Sequence, residues 1–170
     1  MMTRFLTALV ALVTFAGLAA AQDDRETIVF GVVATEQSEN VLHLWEPFVE
    51  DMARDTGFNV ELRSATDYAG VIEAMRADQV QVAWLTNASG LEASRRANAE
   101  VFAKFIYPDG QLGYRSIIIV PEDSPMQDIE DLLVCDGTVN FGLGDPLSTS
   151  GTLVPQAYIF ADRGIDPQTC

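Results

Sequence analysis

Basic residues are scarce in this chain of 170 residues: 10 Lys and Arg stand against 25 Asp and Glu, a formal net charge of −15. Phosphate backbones are bound by Lys/Arg-rich surfaces, so the shortage argues against a nucleic-acid partner. It argues equally against docking on anionic lipid. There is one histidine, His43, and there are two cysteines, Cys135 and Cys170. A His/Cys metal site has no ligands to draw on, and neither a metal nor a cofactor is expected. The 7 prolines and 12 glycines are too few for a disordered or low-complexity chain. No internal repeat and no acidic tail occurs. What is present is a 48% hydrophobic composition, ordinary for a protein with a real core. The length fits one domain, or at most two small ones.

Long apolar runs are confined to the start. Residues 1–21 read MMTRFLTALVALVTFAGLAAA, with Arg4 as a short positive region, an apolar stretch and an A-x-A cleavage site ahead of Gln22. This pattern predicts a secretory signal peptide and export, most simply to a bacterial periplasm. A membrane anchor is the weaker reading, because the run is short and ends in small residues. No direct membrane insertion is expected after signal cleavage. In an exported chain two cysteines pair more often than not, so a Cys135–Cys170 disulfide is expected. The alternative is two unpaired thiols. Closing a loop of about 35 residues would contribute roughly 3–4 kcal/mol in the chain-entropy model.

The remainder alternates strand and helix. Strands are predicted at 27–33, 58–62, 80–84, 101–106, 114–120 and 138–141. Helices are predicted at 38–56, from Thr66 or Asp67 through Met75, at 87–98, at 127–133 and at about 150–163. The first helix carries Val41, Leu44, Trp45, Phe48 and Met52 at three- and four-residue spacing, with Pro47 expected to bend or interrupt it. His43 lies on this helix beside Trp45 and reads as a packing residue. Repeated β-α-β units predict a mainly parallel sheet covered by helices on both faces. Ligands then bind at loops beyond the carboxyl ends of the strands.

The segment with chemical potential is FGLGDPLSTSGTLVP, 141–155. Gly142 and Gly144 permit a tight path, Asp145-Pro146 turns the chain, and Ser148, Thr149 and Ser150 open a helix. Three hydroxyls, unpaired backbone N–H groups and the positive end of a helix dipole suit a tetrahedral oxyanion. Plain N-capping is the competing reading, at even weight. The Asp145 carboxylate counts against an anion unless it points away. The segment is neither a Walker A loop nor a nucleophile elbow. Pro155 predicts that the helix is short or bent.

Several stretches together are recognisable: FGVVATEQSEN, WEPFVEDMARDTG, TDYAGVIEAMRADQVQVAW, ANAEVFAKF, DGQLGYRSIIIVPEDSP and FGLGDPLSTSGTLVPQAYIF. In these the chain resembles the phosphonate-binding proteins of ABC transporters, within the type II periplasmic binding proteins. The resemblance implies an α/β fold of two lobes joined by hinge strands, with 22–115 in the first lobe and 116–170 opening the second. It implies a non-enzymatic receptor that takes a phosphonate, such as 2-aminoethylphosphonate, to the membrane permease of an ABC transporter. It carries the family's ligand contacts onto Tyr68, Tyr114, Ser148, Thr149 and Ser150. From position alone, Tyr68 and Tyr114 read as packing residues. The WLTNASG turn after Trp84 departs from the family's usual Tyr/Gly type, which bears on ligand choice. The family runs to roughly twice this length, so the sequence is expected to be a truncated gene, a fragment or a partial record.

Three other readings stay open. The ligand is phosphate, phosphite or another small oxyanion; the protein senses a ligand for a membrane kinase; or it is an exported serine hydrolase using the 148–150 cluster. The last is the poorest, since only His43 is available as a base.

Overall fold

The computed structural model describes residues 24–34 and 38–170. The signal peptide expected at 1–21 lies outside them. Three strands and three helices alternate: β1 (Thr27–Val33), α1 (Ser38–Thr56), β2 (Asn59–Ala65), α2 (Tyr68–Arg76), β3 (Val82–Ala83) and α3 (Asn87–Ala97). The strands form a parallel sheet in the order β2-β1-β3, with Thr27 opposite Asn59 and Phe30 opposite both Leu62 and Val82. Two consecutive β-α-β units share β2, and the second crosses past β1, which leaves β1 as the central strand.

The two-residue period of β1 divides its side chains between two layers. Phe30 and Val32 are buried against Val49 of α1, with Val41, Trp45, Met52, Val60, Leu62 and Val82 packed around them. Gly31 faces the other way. A methyl group there would lie 2.8 Å from Val80 Cγ1 and 3.3 Å from Val71 Cγ1, so α2 approaches the sheet over a position with no side chain. Val71, Ile72 and Val80 are buried on this side. Gly31→Val should therefore overpack the layer and cost about 1–3 kcal/mol, read as a lowered denaturation midpoint. An unchanged midpoint would mean that α2 has room to move outward.

Glu73 packs α2 against α3. It accepts hydrogen bonds from Arg76 at 2.8 Å and from Arg96 of α3. The Arg76 bond, with the charges of Arg76 and Arg96, holds its carboxyl below the usual carboxylate range. A chain of aromatic rings leaves the core in the other direction. Phe48 meets Phe30 at 5.2 Å, Phe30 meets Trp45 at 5.4 Å, and Trp45 meets Trp84 at 5.5 Å. Trp84 continues to Phe105 at 5.6 Å and Phe105 to Tyr107 at 4.9 Å.

Several sequence expectations need correction. α1 is one unbroken helix with Pro47 inside it. Pro47 is exposed, so the carbonyl it cannot serve is open to water. The segments 101–106, 114–120 and 138–141 form no strands among the described residues. Their apolar alternation is intact, but a strand is defined by its ladder, and no described segment pairs with them. Ile117 and Ile119 remain 77% and 88% exposed as a result. The helix expected at 127–133 is a single 3-10 turn, Glu130–Leu133.

The last helix, here α4 (149–163), differs in kind. Its turns at Thr149–Leu153 and Gln156–Phe160 are wide π turns, and a 3-10 turn, Ala161–Arg163, ends it at Gly164 with φ +66°. Pro155 sits buried between the two wide turns. Cys135 and Cys170 are joined in a disulfide spanning 35 residues, which encloses the whole of α4.

Candidate functional site

Three helix starts meet at one place. α2 begins after Asp67, whose side chain caps it by accepting from Gly70 N at 2.6 Å. α3 begins after Thr86 in a reciprocal cap: Thr86 N donates to Ser89 Oγ at 2.8 Å, and the two hydroxyls are 2.9 Å apart. α4 begins after Ser148, whose Oγ accepts from Gly151 N at 3.1 Å. Each cap satisfies only part of the first turn's N–H groups.

Short bonds tie these starts together. Ala88 N of α3 donates to Thr149 Oγ1 at 2.8 Å, and Thr86 Oγ1 donates to the Leu147 carbonyl at 3.2 Å. A hydroxyl that accepts from a backbone N–H retains its own proton to donate. Thr149 is in that state. Both carboxylate oxygens of Asp145 accept from backbone N–H groups, Oδ1 from Leu147 N at 2.7 Å and Oδ2 from Tyr68 N at 3.4 Å. The carboxylate that counted against an anion site in the sequence is thus occupied by backbone donors, and it joins the start of α2 to the turn before α4.

The glycine turn is equally specific. Gly144 N donates to the Gly151 carbonyl at 2.9 Å, and Thr152 Oγ1 donates to the Gly144 carbonyl at 2.9 Å. A Cβ on Gly144 would lie 3.2 Å from Gly151 Cα. Two backbones approach each other here because neither carries a side chain in the way.

Tyr68 is half-buried at the start of α2. Burial, above all, pushes its phenol upward from the ordinary value of 10.0; the nearby Tyr114 and Asp145 add to this, and a hydrogen bond with the Thr86 side chain opposes it. Tyr68 therefore stays a neutral donor throughout the physiological range. The stability gained from keeping it neutral is present in full below pH 10.0 and is lost as pH rises through the raised value. Tyr114 is 52% exposed.

Of the five residues singled out in the sequence, Ser148, Thr149 and Tyr68 are linked through the Thr86, Ala88 and Asp145 bonds just described. Tyr114 lies close enough to Tyr68 to affect its ionisation. Ser150 joins through its carbonyl, which accepts from Ser116 Oγ at 2.6 Å. Sequence reasoning missed Thr86 and Ser116, and it left Asp145 conditional on where its carboxylate points. The T-N-A-S string is a helix-start signal that pointed to Thr86. Nothing local marked Ser116.

A family model for the periplasmic substrate-binding proteins of phosphonate ABC transporters matches residues 30–170. The chain belongs to this phosphonate-binding family. Its relatives include the phosphonates-binding periplasmic protein of Escherichia coli K12, 42% identical over 159 residues, covering 94% of this chain and 47% of that protein. The phosphate-import protein PhnD of Mycolicibacterium smegmatis is 29% identical over 148 residues, covering 84% of this chain and 44% of that protein. A solved binding-protein component of an ABC phosphonate transporter from Pseudomonas aeruginosa superposes with a TM-score of 0.80 at 44% identity, covering 85% of this chain and 48% of that one. PhnD1 from Prochlorococcus marinus, solved with methylphosphonate, gives a TM-score of 0.62 at 19% identity, covering 85% and 53%, a likeness of fold. The fold is the α/β, type II periplasmic-binding-protein fold of these phosphonate-binding neighbours. The chain spans about half the length of the curated relatives it matches.

Proposed function

We propose that this chain is part of a periplasmic receptor that captures a phosphonate and delivers it to the membrane permease of an ABC transporter. Residues 22–115 then belong to the first lobe, and 116–170 begin the second. The anion's oxygens are held by the hydroxyls of Ser148, Thr149 and Ser150 and by the phenols of Tyr68 and Tyr114. One observation carries the reading: Thr149 accepts from the start of one helix while opening another, which leaves its own proton to donate. The negative surface does not forbid this, since surface charges are screened beyond roughly 8–10 Å while the N–H groups act at contact distance.

The receptor has no catalytic role in this reading. His43, the only imidazole of the chain, is on the exposed face of α1 with Nδ1 2.7 Å from Glu46 Oε2. Among the described helices, none is long and apolar enough to cross a membrane.

Calorimetric titration with 2-aminoethylphosphonate tests the reading, using the chain extended to the length of its relatives. Saturable binding without turnover is expected. Thr149→Ala should weaken it by about 1.5–3 kcal/mol, roughly ten- to hundredfold, while Thr149→Ser retains it. Equal affinities for all three would reduce the hydroxyl to a helix cap. A second reading, inorganic phosphate as the ligand, is favoured by the name of the Mycolicibacterium relative. Phosphate displacing the phosphonate at equal or lower concentration would decide for it.

A further inference from the structure

Pro155 takes one N–H donor out of α4. In an α ladder its missing N–H would have met Gly151 O, and in the wider π ladder Ser150 O. The neighbouring donor is no substitute, because Val154 N is already bonded to Thr149 O. Both carbonyls are served from outside the helix. Gly151 O accepts from Gly144 N at 2.9 Å, and Ser150 O accepts from Ser116 Oγ at 2.6 Å. The first of these bonds closes the glycine turn. The second reaches 34 residues back, to a segment that has no ladder of its own.

We propose that Ser116 is a positioning residue for the anion site, latched onto a carbonyl that Pro155 keeps free, and that it acts by holding Tyr114 in register with Ser148–Ser150. The proposal rests on the phosphonate reading above. Tyr114 is two residues before Ser116, a distance of at most about 7 Å along the chain. Fixing Ser116 to the first turn of α4 thus limits where the phenol can go. Without the latch, 114–120 loses its direct tie to the helix start. A helical residue with an N–H at position 155 would compete with Ser116 for the carbonyl, so the proline and the serine belong to one device.

The test uses the chain extended to the length of its relatives and titrated with 2-aminoethylphosphonate. Ser116→Ala should weaken binding about fivefold, the range for one hydrogen bond, and Ser116→Thr should stay within about twofold. In a Tyr114→Phe background Ser116→Ala should cost less than about twofold, because the group it positions is gone. The melting temperature of the ligand-free protein should be the same for the Ala and Thr variants. An unchanged affinity in Ser116→Ala overturns the latch. So does a Thr variant as weak as the Ala variant, or an equal fivefold loss in the Tyr114→Phe background. Failure of the unsubstituted protein to bind overturns the phosphonate reading and the latch together, whereas binding with any of the other outcomes overturns the latch alone.

Discussion

Residues 22–170 produced alone should show no measurable phosphonate binding where the same residues, extended to the length of the relatives, bind at micromolar concentration or tighter. The expected loss is about a thousandfold or more. Of the proposed donors, Tyr114 is 52% exposed and Tyr68, Ser148, Thr149 and Ser150 are only partly buried. Water competes for each of their hydrogen bonds, so each is worth little net. The same chain should associate in solution. Phe102, Ile106, Ile117 and Ile119 are between 57% and 88% exposed on segments without strand partners. Unpaired, β-prone apolar segments recruit other chains. Titration of both forms and sedimentation of the short one check the prediction. Micromolar binding by a monomeric 22–170 would show that these residues build a working site unaided.

Loss of the disulfide should give the largest change in stability. Cys135→Ser with Cys170→Ser opens a loop of 35 residues. The chain-entropy model puts the cost at about 3–4 kcal/mol. The bridge closes the ends of the segment that carries the glycine turn and α4, so reduction should loosen that segment ahead of the sheet. Amide exchange on the reduced and oxidised proteins can separate the two regions. Equal protection across 138–163 in both forms would mean that α4 is held by its own packing. Mass spectrometry of the unreduced protein should find no thiol to alkylate.

Much of the sheet was legible in the sequence because its signals are local. The apolar run of β1, the three-and-four spacing of α1 and the Asp67 cap each act within a few residues. The expected strands at 101–106, 114–120 and 138–141 show the limit of that reasoning. Their residues favour extended backbone, but pairing is a property of two segments, and no described segment pairs with them. α4 lies where a helix was expected, but its form was not legible. Pro155 pointed to a short or bent helix, and the turns around it are instead wide, with outside donors serving Ser150 O and Gly151 O. The Ser148–Ser150 start was readable from its hydroxyls, as was the start of α3 from its polar string. Their junction through Ala88 and Thr149, 61 residues apart, was not.

The aromatic rings that run from the core past β3 make the protein's own light informative. The chain has two tryptophans, and they are neighbours in that row, 5.5 Å apart. Excitation absorbed by either passes readily to the other, so the emission reports on the pair. Trp45 is seated against Phe30 in the packed interior, whereas Trp84 is 43% exposed and stands two residues before Thr86, at the start of α3. Ultraviolet fluorescence therefore samples the ground beside the proposed oxyanion cradle with no label attached, and its wavelength records how much water reaches that ground.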